Sequence, residues 1–160
     1  MAIRNIRVDE DPILRKKSRP VTEFNERLFT LLDDMADTLE SLSAIGLAAV
    51  QVGVLRRVFI CNFGDGIIEL INPEIIHTEG TQQEEEACLS LPGKSGLTNR
   101  PATVQIKAQN REGKWCIYKG DELKARCFCH EYDHLDGVLY SDKLAEGETL
   151  HHFEPENGEE

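Results

Sequence analysis

The run Cys129-His130-Glu131-Tyr132-Asp133-His134 holds two imidazoles four positions apart with a carboxylate between them. On an α-helix, positions i and i+4 share a face about one turn apart, so both rings can grip one metal ion. Glu131 then stands about 100° around the axis from His130, within reach of a water at that ion. The chemistry such a set performs is metal-assisted hydrolysis. A solvated polar helix face shows the same spacing, so further donors must decide. A catalytic divalent ion takes three protein ligands and keeps one position open. Cys88, in Glu86-Ala87-Cys88-Leu89-Ser90, is the best third candidate, since nothing near it suggests a disulfide partner. An inert core thiol is the competing reading, because free cysteine is among the most buried residue types. A third segment, Ile45 to Gly53, sets one amide, Gln51, among small residues where backbone can approach a ligand closely.

These three segments, in this order, resemble the three signature motifs of the peptide deformylase family, G-x-G-L-A-A-x-Q, E-G-C-L-S and Q-H-E-x-D-H. Asp11-Pro12-Ile13-Leu14-Arg15, Ile71-Asn72-Pro73-Glu74 and Asp136-Gly137 are similar to their counterparts there, so the likeness covers roughly residues 5 to 145. The resemblance implies a metal-dependent amidohydrolase that removes the N-formyl group from the formylmethionine of nascent peptides and releases formate. It implies Cys88, His130 and His134 as ligands, Glu131 as proton carrier, and the Gln51 amide with the Leu89 backbone N–H as donors where charge develops on the carbonyl oxygen. Backbone at Ile45-Gly46 and around Ala87 would hold the peptide extended, by strand addition. Ile45, Leu123 and Cys127 match the apolar lining of the methionine pocket, with Arg126 beside them.

Glu86 and Arg100 match positions that pair behind the cysteine loop, with an ordinary surface ion pair as the alternative. Asp133 either orients a ligand imidazole or faces solvent. A thiolate and two neutral imidazoles leave a divalent ion with a net charge of about +1, enough to bring a water's pKa toward neutrality. The implied ion is Fe2+ in the cell, with Zn2+, Ni2+ or Co2+ possible in purified protein. The sequence departs from the family pattern at Ala44, Ala87 and Cys129. If either alanine needs positive φ, strain of about 1 kcal/mol or more follows. Cys129 adds a thiol beside the metal helix and predicts oxidation sensitivity. Two other readings stay open: a catalytically impaired deformylase-fold binding protein, and a zincin-type metalloprotease, against which a cysteine ligand far upstream argues.

The elements that position these groups read as α+β, with antiparallel or mixed β-sheets around a central metal-binding helix and an N-terminal core helix. Phe24, Leu28, Leu31, Leu32, Met35, Leu39 and Leu42 recur at helical spacing, with Asn25 or Thr22 as cap. Short β-branched runs at 57–61, 66–71, 74–77, 102–108 and 115–119 read as antiparallel strands. Asp121 is the expected cap of the histidine helix, which stops at Gly137. The 160 residues suit one domain, over 1–145, followed by an acidic tail at 146–160, and Pro155 to Glu160 reads as frayed.

Five cysteines form no framework pattern and no leader-like segment opens the sequence, so a reducing cytoplasm is expected. No apolar run approaches the roughly 18 residues of a membrane span. Eighteen basic against 29 acidic residues give a net charge of −11, which disfavours general attraction to nucleic acid. Contact with the ribosome would be local and transient, and the expected state is a monomer.

Overall fold

Strand β2 (Val58–Asn62) is buried on both faces, and that double burial organises the molecule. Side chains alternate across a strand, so Val58 and Ile60 point one way and Phe59 and Cys61 the other. Val58 and Ile60 join a core with helix α1 (Glu26–Ser41), whereas Phe59 and Cys61 join a second core with helix α2 (Leu123–Leu135). The computed structural model describes residues 2–153.

The larger sheet runs in the order β1 (Gly46–Ala48), β2, β3 (Ile67–Glu79), β6 (Thr103–Gln109), β7 (Trp115–Asp121). The smaller sheet runs β4 (Gln82–Cys88), β5 (Leu91–Arg100), β8 (His151–His152). All strand pairs in both are antiparallel, as expected. Helix α2 crosses the larger sheet on the face opposite α1 and reaches β5 of the smaller one, which puts the histidines between the two sheets.

Helix α1 follows its periodicity. Leu28, Leu31, Leu32, Met35 and Leu39 are buried, and the Asn25 side chain accepts the Leu28 N–H at 3.3 Å. Asn25, not Thr22, is therefore the cap. Helix α2 departs from expectation at its start. Asp121 ends β7 and accepts a hydrogen bond from the Thr103 hydroxyl, while Glu122, at φ 53, turns the chain into the helix with no side-chain cap. The end is as read: Gly137 has φ +75, and a Cβ there would run into the Arg15 carbonyl.

The runs at 66–71 and 74–77 are one strand. Asn72 sits at φ 52 inside β3, and its side chain accepts the Val21 N–H and donates to the Val21 carbonyl and to Gln109, so a bulge replaces the expected break. The backbone continues past 145, the expected end of the domain: His151 pairs with Ser95 and His152 with Lys94. The 155–160 segment lies outside the described residues.

Candidate active site

Two separate elements deliver the three metal-ligand candidates to one point. His130 and His134 lie one turn apart on α2, their ring centroids 5.0 Å apart. Cys88 closes β4 just before the two-residue turn Leu89-Ser90, and its Sγ lies 3.4 Å from His134 Nε2. One donor atom from each of the three falls within 4.8 Å of the others. Ligands about 2.0–2.3 Å from a shared ion at tetrahedral angles stand about 3.3–3.6 Å apart, so the sulfur-to-nitrogen spacing fits one transition-metal ion. The set of one soft sulfur and two imidazoles suits such an ion chemically. His134 is fully buried, and burial holds its pKa well below the usual imidazole value, which keeps it in the neutral form a ligand needs.

Glu86 fixes the orientation of His130. Its Oε1 accepts from His130 Nδ1 at 2.9 Å, which turns the opposite ring nitrogen toward Cys88 and His134. Glu86 also accepts from Arg100 at both oxygens, at 2.9 and 3.0 Å, and from the Thr98 hydroxyl at 2.7 Å. Burial pushes the Glu86 carboxyl up, but the hydrogen bonds from His130 and Arg100 outweigh it and bring the pKa down to about 2. The Glu86–Arg100 pair is thus buried beneath the ligands and is no surface ion pair. Arg100 donates its remaining arm to Asp133 at 2.6 Å, so Asp133 neither orients an imidazole directly nor simply faces water. The Tyr140 ring stacks on His130 at 5.9 Å and 18°. Nothing in the sequence pattern singled out Tyr140 or Thr98, and the buried Ser90, though inside the cysteine motif, carried no role there.

Glu131 lies on the cleft side of α2, 5% exposed, with its Oε1 free of any hydrogen-bond partner among the described residues. Burial raises its pKa to about 7 against the opposing pull of His130 and Arg100. A carboxyl poised near neutrality can both take and return a proton. Gly46 makes its position possible, since a Cβ there would stand 2.7 Å from Glu131 Oε2 and 2.9 Å from Cys127 Sγ. Gln51 is held by its own oxygen, which accepts the Ala48 N–H at 3.0 Å. Its Nε2 donates to Ser90 Oγ at 3.1 Å and lies 3.6 Å from Cys88 Sγ, so the amide protons face the ligand cluster.

A cleft of about 630 Å3 opens over these groups. Ile45, Gly46, Ala87, Leu89, Leu123 and Cys127 line it, together with Gln51, Cys88, His130 and Glu131. Arg126 lines it too and donates to Gln82. Phe153, beyond the expected domain boundary, closes one side of it. The strands β1 and β4 that flank the cleft each lie at the end of their sheet order, so each offers an edge to an added strand.

The departures from the family pattern prove mild. Neither Ala44 nor Ala87 has positive φ, so the anticipated backbone strain is not there. Cys129 lies on the buried side of α2, and burial pushes its thiol up to about 11, which argues against the reactivity anticipated there.

Comparison with known proteins gives one result throughout. Residues 3–149 match the polypeptide deformylase family. A peptide deformylase of Alkaliphilus metalliredigens is 54% identical over 144 residues, covering 90% of this chain and 98% of the relative. The crystal structure of peptide deformylase from Thermotoga maritima superposes with a TM-score of 0.88 at 38% identity, covering 91% of this chain and 99% of that one. A Legionella pneumophila peptide deformylase structure gives 0.87 at 40% identity, covering 91% and 88%.

Proposed function

This chain belongs to the polypeptide deformylase family, and from that premise we propose how its own residues divide the work. It is a metal-dependent hydrolase that removes the N-formyl group from nascent peptides. Cys88, His130 and His134 hold the divalent ion, supported by their common focus and by the Glu86–Arg100 anchor behind His130. When bound, the ion supplies Lewis acidity, lowering the pKa of a water and polarising a carbonyl.

Glu131 takes the proton of the attacking water and delivers it to the departing amine, and its unpartnered oxygen over the cleft is the observation that carries this role. As the carbonyl carbon becomes tetrahedral its oxygen gains charge, and the Gln51 amide and the Leu89 N–H donate to it. Gln51 suits this task because its own oxygen is already engaged with Ala48, leaving the amine end aimed at the ligand cluster. The peptide lies extended between the edges of β1 and β4, at Gly46 and Ala87, with the methionine side chain against Ile45, Leu123 and Cys127.

The native ion is Fe2+. Affinity alone favours zinc over iron, but the family resemblance implies iron, and cellular supply then selects it over the tighter binder. The protein works in the cytoplasm, as a monomer, with only transient proximity to the ribosome; no helix among the described residues is long and apolar enough to cross a membrane. The decisive experiment measures formate release from N-formylmethionyl peptides by metal-loaded protein. Stoichiometric formate with a free methionine amine is expected, and a loaded, folded protein that releases none would overturn the assignment.

A further inference from the structure

Two cysteines outside the metal set meet at the wall of the cleft. Cys61 Sγ on β2 and Cys127 Sγ on α2 lie 3.4 Å apart. Cys61 is fully buried, whereas Cys127 is half-buried and lines the cleft. Gly46 lets them meet: it is the partner of Cys61 across the β1–β2 ladder, and a Cβ on it would press on Cys127 Sγ. The sulfurs need to close by only about 1.4 Å to reach the ~2.05 Å of a disulfide.

We propose that Cys127 and Cys61 form a redox modification site that takes low-molecular-weight disulfides. Cys127 enters first because it alone of the two faces the cleft. Its thiolate attacks an external disulfide R–S–S–R, forming Cys127–S–S–R and releasing RS−, which takes a proton from solvent. The Cys61 thiol then attacks Cys127 Sγ, forming the Cys61–Cys127 bond and breaking the Cys127–S–S–R bond, and its proton leaves with the second thiol as RSH. Two protein thiols are oxidised and one external disulfide is reduced to two thiols. Burial raises the Cys61 pKa well above the ordinary thiol value, so the second step is the slower one and the mixed disulfide accumulates ahead of it.

Both products alter the cleft. The mixed disulfide places the R group beside Ile45 and Leu123, and the cross-link pins the first turns of α2 to β2, one turn before Glu131. This effect on turnover rests on the cleft being the formyl-peptide site; the cross-link itself does not.

The test uses metal-loaded protein, first shown to release formate, and then treated with oxidised glutathione in the absence of oxygen. Free thiols are alkylated, the protein is digested, and the peptides are weighed. A peptide pair joined through Cys61 and Cys127, lighter by two hydrogens, is expected, together with loss of most turnover. Dithiothreitol should restore turnover with metal content unchanged throughout. In Cys61→Ala the reagent should stop at a glutathione adduct on Cys127. Recovery of both cysteines as free thiols, under conditions that convert the half-buried Cys116 to its adduct, would overturn the site. A cross-link that leaves turnover unaltered would overturn its effect on the cleft. Failure of the functional assignment itself would show before oxidant is added, as absence of formate release.

Discussion

A single carboxyl with one unpartnered oxygen, Glu131, is where the chemistry of this chain is most exposed to test. Glu131→Gln keeps the shape and removes the proposed proton carrier without touching a proposed ligand, so metal content should stay stoichiometric while nearly all turnover disappears. Metal analysis and formate release on the same sample check it, and full activity would rule out the shuttle. Gln51 makes a different demand. Its amide is proposed to act where charge develops, so Gln51→Leu should lower kcat about 10²- to 10³-fold with little rise in KM. A change confined to KM would make Gln51 a ground-state contact. At this scale the sequence was a good guide to which side chains converge, because His130 and His134 carry a helical spacing that means something by itself. It was a poor guide to what stands behind them. Asp133 and Tyr140 act through partners more than 30 residues away or through ring stacking, and no local pattern encodes either.

At the scale of elements, the tightest constraint is the approach of α2 to β1 at Gly46. Gly46→Ala would set a methyl 2.7 Å from Glu131 Oε2, so the carboxyl must move. Turnover should fall on the order of 10²-fold, the usual size for a displaced catalytic group, with a melting temperature close to the parent's. Kinetics paired with a thermal melt check this; unaltered kinetics would show that the helix yields at no cost. Elements with an apolar pattern or clear punctuation were legible: α1, α2, β2, β6 and even the edge strand β7 all lie within a few residues of where the sequence puts them. The short strand β1 and the whole smaller sheet, its central strand β5 included, were not. β4 reads Gln82-Gln83-Glu84-Glu85-Glu86, a charged run with no apolar alternation, and it is a strand because β5 pairs with it along its length. β1 is held by a partner 15 residues away, Cys61 for Gly46, and β8 by partners 56 and 58 residues away, Ser95 for His151 and Lys94 for His152. Such pairing is tertiary and leaves no mark in a local window.

For the molecule as a whole, two tests address what ties it together. The N-terminal segment is fastened to α1 at Asp34, which accepts from Arg4 at 2.9 Å and from the Ala2 N–H at 2.7 Å. Burial would raise this carboxyl's pKa, yet the hydrogen bonds from Arg4 and Ala2 win and lower it below 3.8. A lowered carboxyl lends stability that is present above the unfolded value and is lost as pH falls through the folded one. Asp34→Asn should therefore cost about 1–2 kcal/mol near neutral pH, and the deficit should shrink below pH 3.8. Denaturant midpoints across that range check it, and a constant deficit would deny the charge a role. The metal offers the second test. Protein stripped and reloaded without oxygen should release formate faster with iron, nickel or cobalt than with zinc, and the iron form should decay in air. A zinc form equal to iron and stable in air would set this chain apart from the family expectation.

The two sheets end on either side of the cleft, and neither has a neighbour there among the described residues. On the proposed docking, a guest chain would complete both at once, and what it would present is the repeating amide, which every polypeptide carries. Breadth would then be built into the architecture: a cleft bounded by two open edges listens to the grammar of the main chain before its vocabulary.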